Sequence, residues 1–211
     1  MNKSEILSKC DHTILKQTAT FSDVKETLDQ GIACGAASCC ISPCFVKQAK
    51  EYVGDKIKIC TVIGFPNGNS LSAVKAYETE LAVADGADEI DMVINTSYLR
   101  DNNLAAATAD VKAVREKCIG KVLKVIIETC LLTDDEKRLA CRAVIDGGAD
   151  FVKTSTGFSS AGATIEDVRL LKQEVGDKIK VKAAGGIRDF DFAEKLIAAG
   201  ADRIGESKLA K

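Results

Sequence analysis

The sequence predicts an α/β fold in which eight parallel strands alternate with helices and close into a (β/α)8 TIM barrel with a short extra N-terminal helix. Glycine-containing motifs recur along the chain, alternate between two kinds, and separate apolar helical segments from apolar strand segments. An open doubly wound sheet is the alternative, but no Gly-x-Gly-x-x-Gly follows the first strand. No linker divides the chain, so residues 1–211 are expected to form a single domain.

The elements before the repeat are expected to be a short helix near Lys3–Lys9 and a strand within Cys10–Leu15. A longer helix follows, with Ser22 as its predicted N-cap, and runs to about Cys34. This first strand is the one strand that no glycine motif introduces.

The first kind of motif is Gly-Ala followed by alanine or aspartate, beginning at Gly35, Gly86, Gly148 and Gly200. The strands predicted after these motifs are Cys39–Ser42, Glu89–Ile94, Phe151–Ser155 and Arg203–Ser207. The second kind is Val-Gly-Asp-Lys-Ile-Lys, at Val53 and Val175, with a looser copy at Ile119. It introduces the predicted strands Ile59–Ile63, Val125–Glu128 and Val181–Ala184. Each motif glycine stands where the end of a helix favours a left-handed residue.

The composition is that of a soluble globular protein, with 46% hydrophobic and 28% charged residues. A net charge of −2 gives no basic footprint for nucleic acid. No apolar run is long enough to cross a membrane, and the first residues lack the apolar core of a signal peptide. We therefore expect a cytoplasmic protein with neither nucleic acid nor membrane as a partner.

Nine cysteines is a high and odd number, so they cannot all pair within the chain. None forms Cys-x-x-Cys and His12 is the sole histidine, which argues against a metal site. The cysteines are interpreted as small buried hydrophobes in a reducing cytosol. Cys40, on the second strand, is a candidate for a position near the pocket, where it would react with aldehyde products.

Charged residues lie within strands whose other residues are apolar, near the strand ends that form the mouth of a barrel. They are Asp91, Lys124, Glu128, Lys153 and Lys182. Alternation along a strand puts Lys124, Ile126 and Glu128 on one face, and likewise Phe151, Lys153 and Ser155, and Lys180, Lys182 and Ala184. The opposite faces are almost wholly apolar: Val125 with Ile127, Val152 with Thr154, and Val181 with Ala183. The charged faces are therefore expected to point into the barrel.

Such a set of side chains suits Schiff-base chemistry. A single inward charge is explained by a structural ion pair, and a lone lysine by a buried stem whose head reaches water. Several lysines and carboxylates together exceed what packing needs. Burial and repulsion between ammonium groups lower a lysine pKa, to about 7–8 at catalytic sites. The neutral amine then attacks a carbonyl carbon, and a carboxylate such as Asp91 moves a proton. This is aldolase chemistry, for which neither a metal nor another cofactor is expected.

Two glycine-containing turns follow the seventh and eighth predicted strands, at Gly185-Gly186 and at Gly205. A lone Gly-Gly is most simply a tight turn. Barrels often bind phosphate at these two loops, where bare backbone N–H groups approach an anion closely. The pair of turns therefore predicts a site for a phosphorylated small molecule.

The residues that carry these features resemble the 2-deoxy-D-ribose-5-phosphate aldolase family over nearly the whole chain. The matching motifs are Gly64–Gly68, Glu89–Asn95, Lys124–Thr129, Phe151–Phe158 and Lys182–Arg188. The resemblance implies a class I aldolase with a TIM-barrel fold. Such an enzyme cleaves 2-deoxyribose 5-phosphate reversibly to glyceraldehyde 3-phosphate and acetaldehyde, in deoxynucleoside breakdown. It also implies a cytosolic and commonly dimeric protein, so a homodimer is expected.

By the same resemblance, Lys153 is the Schiff-base lysine, and Lys182 is the neighbouring lysine that lowers its pKa and takes part in proton transfer. Asp91 is the proton-relay acid, with Lys124 as its ion-pair partner. The positions implied for the sugar and its phosphate are Asp11, Thr13, Thr156, Gly157, Gly185, Gly186, Arg188, Gly205 and Ser207.

The C-terminal motif departs from the family pattern of glycine, small residue, serine, small residue, glycine. Glu206, Lys208 and Leu209 occupy three of those places. A carboxylate next to a phosphate site is unfavourable unless it points away. Two other hypotheses therefore stay open at this point: a different Schiff-base aldolase or transaldolase-like enzyme, and a sugar-phosphate binding protein without activity.

Overall fold

A closed barrel of eight parallel strands forms the centre of the computed structural model, which describes residues 1–210. The strands pair in chain order, and β1 pairs with β8 to close the barrel. They are β1 Cys10–Ile14, β2 Ser38–Ile41, β3 Ile59–Ile63, β4 Glu89–Val93, β5 Val122–Ile126, β6 Phe151–Lys153, β7 Lys180–Ala184 and β8 Arg203–Glu206. The predicted TIM barrel is confirmed.

Helices alternate with the strands, and the short additional helix α1 precedes β1 as predicted. They are α1 Lys3–Leu7, α2 Phe21–Cys34, α3 Val46–Val53, α4 Ser72–Ala84, α5 Thr96–Arg100, α6 Leu104–Arg115, α7 Asp134–Asp146, α8 Ile165–Val175 and α9 Phe190–Ala198. Two short 3₁₀ helices lie at Pro43–Phe45 and Thr129–Leu131. Within residues 1–210, no helix combines the length and the apolar character that a membrane span requires.

The repeat glycines behave as the motif analysis predicts. All seven have positive φ, from 56° at Gly176 to 116° at Gly200. A side chain with a Cβ disfavours this conformation, so glycine ends each helix and turns the chain into the next strand. The repeat is therefore a repeat of helix-to-strand turns.

The predicted start of α2 is wrong by two residues. Thr20, not Ser22, is the N-cap. The Thr20 N–H donates to the Asp23 carboxylate at 2.7 Å, and the Asp23 N–H donates to Thr20 Oγ at 3.3 Å. These two hydrogen bonds satisfy the backbone N–H groups of both Thr20 and Asp23. They make Thr20 the N-cap residue of the helix.

The predicted division of the strand faces is confirmed along β5, β6 and β7 but not at Glu128, whose left-handed backbone beyond the end of β5 directs the side chain to Thr156. Val125, Ile127, Val152, Val181 and Ala183 pack outward in the apolar core between barrel and helices. Thr154, the polar member of the outward set, exchanges hydrogen bonds through its hydroxyl with the backbone of Ala184. Lys124, Lys153 and Lys182 occupy the inward faces of these strands and are buried, whereas Lys180 is exposed at the start of β7.

Candidate active site

Three lysines converge on one carboxylate inside the barrel. Asp91 on β4 accepts hydrogen bonds from Lys153 Nζ and Lys182 Nζ through the same oxygen, Oδ2, each at 2.7 Å. Its other oxygen, Oδ1, accepts from Lys124 Nζ at 2.8 Å. Strand register explains the meeting, since Asp91 lies opposite Lys124 on β5 and Lys153 on β6 lies opposite Lys182 on β7.

A second layer of charge lies beneath this cluster. Lys124 contacts Glu89 at 2.6 Å, and Asp11 binds both Lys182 and Arg203. The interior therefore holds three carboxylates and four cations: Asp11, Glu89 and Asp91 with Lys124, Lys153, Lys182 and Arg203. Lys124 and Lys182 have no exposed surface. Their ammonium groups therefore do not reach water, unlike those of lysines that bury only the aliphatic part of the side chain.

The carboxylates decide the protonation state of the buried lysines. Burial alone lowers the pKa of Lys182, but Asp11 and Asp91 outweigh it and raise that pKa well above its usual value. Lys124 behaves in the same way. Burial would raise the pKa of Asp91, yet Lys124, Lys153 and Lys182 hold it well below its usual range. The pKa of Lys182 is thus raised although burial and the neighbouring Lys124 both act to lower it, because Asp11 and Asp91 hold its ammonium group.

A cavity of about 620 Å³ opens above the cluster at the carboxyl ends of the strands. Lys153 lines it and is 4% exposed, whereas Asp91, Lys124 and Lys182 lie below its floor. Seven residues predicted to bind substrate also line it: Thr13, Thr156, Gly157, Gly185, Gly186, Gly205 and Ser207. Of the three lysines around Asp91, Lys153 is thus the one that lines the cavity.

Two predicted substrate residues do not line this cavity. Asp11 is fully buried within the ion-pair cluster and also accepts a hydrogen bond from Ser38 at 2.8 Å. Arg188 has an exposed side chain beyond the Gly185-Gly186 turn. The lining also includes two cations that sequence analysis did not select, Lys16 and Lys208.

Bare backbone forms the side of the cavity near β7 and β8. Gly185 has φ 87°, and a Cβ on it would lie 3.0 Å from the Cα of Gly162 and 3.5 Å from the Cα of Gly157. A Cβ on Gly162 would lie 2.2 Å from the Gly185 carbonyl oxygen, and one on Gly205 would lie 2.8 Å from Ala184 Cβ. Glycine is therefore needed for close packing here, which leaves backbone N–H groups accessible to an anion.

Glu206, the unusual carboxylate of the C-terminal motif, is occupied within the protein. Its Oε1 lies 2.7 Å from Nδ1 of His12, and its Oε2 accepts the N–H groups of Lys208 at 2.6 Å and Leu209 at 2.5 Å. The side chain is buried, so these contacts compensate its charge locally. The carboxylate shapes the turn after β8 from inside.

The cysteines are free thiols, and six of the nine are buried. Cys40 lies near the cavity, with its thiol within 4.8 Å of the Asp91 carboxylate, but it has no exposed surface and does not line the cavity itself. Its Sγ packs with Cys60 and Val62 inside the barrel, where a hydrogen bond from Cys60 lowers the pKa of the Cys40 thiol despite burial.

Two sets of cysteine and carboxylate groups are close enough to share an ion: Cys40, Cys60 and Asp91, and Asp11, Cys60 and Glu89. Ammonium groups already stand among these ligands, since Lys124 Nζ is 2.8 Å from Asp91 and 2.6 Å from Glu89. The lysine supplies the positive charge that a cation would bring.

The sequence matches one protein family along nearly its whole length. The model of the DeoC/LacD family aldolases matches residues 6–207. Proteins named deoxyribose-phosphate aldolase are 48% identical in Clostridium botulinum, over 99% of this chain and 94% of theirs, and in Streptococcus pyogenes, over 100% and 95%.

Solved structures agree with the sequence relatives. The aldolase QR15 superposes with a TM-score of 0.94 at 39% identity, covering 98% of this chain and 93% of its own. The tetrameric deoxyribose phosphate aldolase from Aeropyrum pernix superposes with a TM-score of 0.93 at 31% identity, covering 100% and 90%. The fold, the family model and the relatives agree along nearly the whole sequence, and the chain belongs to the DeoC/LacD aldolase family.

Proposed function

We propose that Lys153 is the Schiff-base nucleophile of a deoxyribose-phosphate aldolase. The reaction is the reversible cleavage of 2-deoxy-D-ribose 5-phosphate to D-glyceraldehyde 3-phosphate and acetaldehyde. The observation that carries the assignment is the position of Lys153: of the three lysines around Asp91 in the described structure, it alone lines the cavity. Lys124 and Lys182 have no exposed surface and do not line the cavity.

The chemistry follows from an amine at this place. The neutral Lys153 nitrogen attacks C1 of the open-chain sugar, and the carbinolamine loses water to give an iminium ion. Loss of the C3 hydroxyl proton breaks the C2–C3 bond, and its electron pair moves to C2 to form a neutral enamine. Glyceraldehyde 3-phosphate leaves. Protonation of C2 and addition of water then release acetaldehyde and restore the amine.

The neighbouring charges support proton movement in these steps. Asp91 Oδ2 lies 2.7 Å from the nitrogens of both Lys153 and Lys182, so it is the nearest acceptor for the proton that Lys153 loses. Lys182 remains charged beside it and stabilises the carboxylate. Lys124, bound to the other oxygen, fixes the orientation of Asp91.

The anion end of the substrate is proposed to bind the bare turns of the cavity wall. Backbone N–H groups at Gly157, Gly185, Gly186, Gly205 and Ser207 would contact the phosphate, and Thr13 and Thr156 would contact hydroxyl groups. Asp11 is assigned to the charge cluster instead, since its oxygens bind lysine, arginine and serine. Arg188 lies outside the proposed site because it does not line the cavity.

Borohydride trapping with 2-deoxyribose 5-phosphate tests the nucleophile. Reduction of the imine fixes the substrate carbon on the reacting lysine, which peptide mass mapping then identifies. We expect the adduct on Lys153, none in Lys153→Ala or Lys153→Arg, and an unchanged adduct in the control Lys180→Ala, an exposed lysine at the start of β7. An adduct on Lys182 would reverse the two roles. No adduct in a folded sample that binds the sugar phosphate would favour a binding protein.

A homodimer is proposed from an apolar stripe on α4. Leu71, Val74, Tyr77 and Leu81 follow one another at helical spacing and are 75%, 53%, 63% and 49% exposed. A stripe of this kind on each copy is self-complementary about a two-fold axis. Light scattering after size exclusion should give the dimer mass, and Tyr77→Glu should give the monomer; a monomeric native protein would reject the proposal.

Two broader expectations also belong to this proposal. A single domain over residues 1–211 is supported by the pairing of β1 with β8, which ties the two ends of the described chain together, and predicts one cooperative unfolding transition. A cytosolic location is supported by nine free thiols. Recovery of the protein in the soluble cytosolic fraction of its own cells would agree with this location, and export would not.

A further inference from the structure

Glu128, which follows β5, is a strained and buried carboxylate that the aldolase mechanism does not use. Its backbone has φ 54° and ψ 67°, one of two left-handed non-glycine conformations among residues 1–210. The residue is 4% exposed. A left-handed conformation is disfavoured for a residue with a Cβ, and a buried carboxylate requires hydrogen bonds. Hydrogen bonds from the turn after β6 hold the Glu128 carboxylate in place.

The main partner of the carboxylate is Thr156, and the thiol of Cys130 makes a longer contact to Oε1 at 4.0 Å. The backbone N–H of Thr156 lies 3.3 Å from each oxygen of the Glu128 carboxylate, and its hydroxyl group donates to Oε2 in a short hydrogen bond. One carboxylate thus binds both donors of one threonine. The left-handed turn at Glu128 makes this possible, because it swings the side chain away from Lys124 and Asp91 and toward the turn after β6.

Thr156 stands at the reacting end of the cavity. It lies three residues beyond Lys153 and lines the same cavity. Its Oγ also accepts the N–H of Phe158 at 3.0 Å, which fixes the turn that carries Gly157. A second, smaller cavity of about 130 Å³ lies behind, where Glu128, Thr156 and Phe158 form part of the lining. Thr156 and Phe158 therefore separate the two cavities, and Glu128 supports this partition from behind.

We propose that Glu128 is a positioning residue that fixes the polarity of the Thr156 hydroxyl. This inference rests on the proposed function of Lys153. Since the hydroxyl proton is donated to a carboxylate, which only accepts, Thr156 Oγ faces the cavity with a lone pair. It accepts one hydrogen bond from Phe158 N–H and has capacity for one more. The substrate group that it orients is a donor: the hydroxyl group of the carbinolamine or of the sugar.

Glu128→Gly provides the test with least backbone disturbance, because glycine adopts φ 54° freely while the carboxylate is lost. Glu128→Gln is the second variant. Its amide group can donate to Thr156 Oγ and would turn the hydroxyl proton toward the cavity. In both we expect kcat to fall by about 10- to 100-fold, the range that a misplaced reacting group costs, with a smaller change in KM.

Coupling to Thr156 separates positioning from general damage. Thr156→Val should lower kcat by a similar factor, Thr156→Ser should retain most of it, and Glu128→Gly should have no further effect in the Thr156→Val background. Asp167→Asn is the matched control, since Asp167 is a buried carboxylate on α8 that binds Lys137. It should lower the melting temperature and leave kcat unchanged.

The outcomes are distinct. Wild-type kcat in Glu128→Gly, or an equal loss of kcat with and without the Thr156 hydroxyl group, would overturn the proposal. Borohydride trapping at saturating substrate is run on each variant. If the wild type forms the Lys153 adduct and the Glu128 variants have unchanged kinetics, the role of Glu128 is rejected and the proposed nucleophile stands. Absence of the adduct from the active wild-type enzyme rejects the proposed nucleophile instead.

Discussion

Replacement of Asp91 by asparagine is the sharpest perturbation of the buried charge cluster. The two side chains have the same shape, so packing is conserved while one charge disappears. Asp91 contacts Lys124 at 2.8 Å and both Lys153 and Lys182 at 2.7 Å, and it has no exposed surface. The variant leaves two carboxylates facing four cations.

The expected loss of stability follows from burial. Removal of one partner from a buried ion pair costs about 3–5 kcal/mol, because the remaining charge lacks both water and its counter-ion. Asp91 has three lysine partners, but Asp11 and Glu89 still bind two of them in the variant. The expected loss is therefore that of one broken ion pair and not of three. A domain of this length loses roughly 2–4 °C per kcal/mol, so the melting temperature should fall by roughly 6–20 °C.

Thermal unfolding followed by circular dichroism measures this change, and aldehyde release from 2-deoxyribose 5-phosphate measures activity. Asp110→Asn is the matched comparison, since Asp110 is a fully buried aspartate that binds one lysine, Lys75, at 2.7 Å. We expect Asp91→Asn to lose nearly all turnover. Asp110→Asn should lower the melting temperature and retain turnover.

A compensating variant tests whether charge is the cause. Asp91→Asn combined with Lys124→Met removes one charge of each sign and should recover a large part of the lost stability, without activity. A melting temperature of Asp91→Asn equal to that of the wild type would refute the argument. It would mean that the lysines around Asp91 are neutral in the resting protein.

Three further predictions address acid stability, the C-terminal turn and the thiols. The pKa values of Asp11 and Asp91 are lowered on folding. Their contribution to the free energy of unfolding is therefore fully present above the unfolded pKa of about 3.9 and is lost as the pH falls below that value. In an acid titration, Asp91→Asn should lose less stability than the wild type. Glu206→Ala removes the contacts to Lys208 N–H and Leu209 N–H, so steady-state kinetics should show KM for the phosphorylated substrate raised several-fold with kcat nearly unchanged. Iodoacetamide should label the exposed Cys44 in the folded protein and spare the buried Cys40, as peptide mapping would show.

The barrel and its lysine cluster were predictable because each rests on a local signal. Glycine at a helix end has one dominant structural cause, and seven such sites gave the number of helix-to-strand turns. A lysine between apolar neighbours, as at Lys153 or Lys182, is rare enough in a strand that alternation alone assigns it to the interior.

The remaining site features depend on contacts between distant segments. Glu89 and Arg203 begin their strands, where a charge is ordinary, and only closure of the barrel brings them onto Lys124 and Asp11. Alternation put Glu128 on the face of Lys124, but its left-handed backbone breaks the alternation and directs it to Thr156. The direction of the Lys182 pKa shift also depends on Asp11. Nothing in the sequence of β1 indicates that Asp11 belongs to the charge cluster.

The arrangement of charge around Lys153 matches the sequence of charges in imine chemistry. An ammonium group and an iminium group both place one positive charge on the Lys153 nitrogen, 2.7 Å from Asp91 in the resting protein. Asp91 therefore needs no reorganisation when the imine forms, since it faces a cation before and after. Carbon–carbon cleavage turns the iminium into a neutral enamine, and Asp91 then keeps Lys124 and Lys182 as counter-ions. The two deeper lysines thus provide counter-ions for the carboxylate whenever the nitrogen of Lys153, the proposed nucleophile, carries no charge.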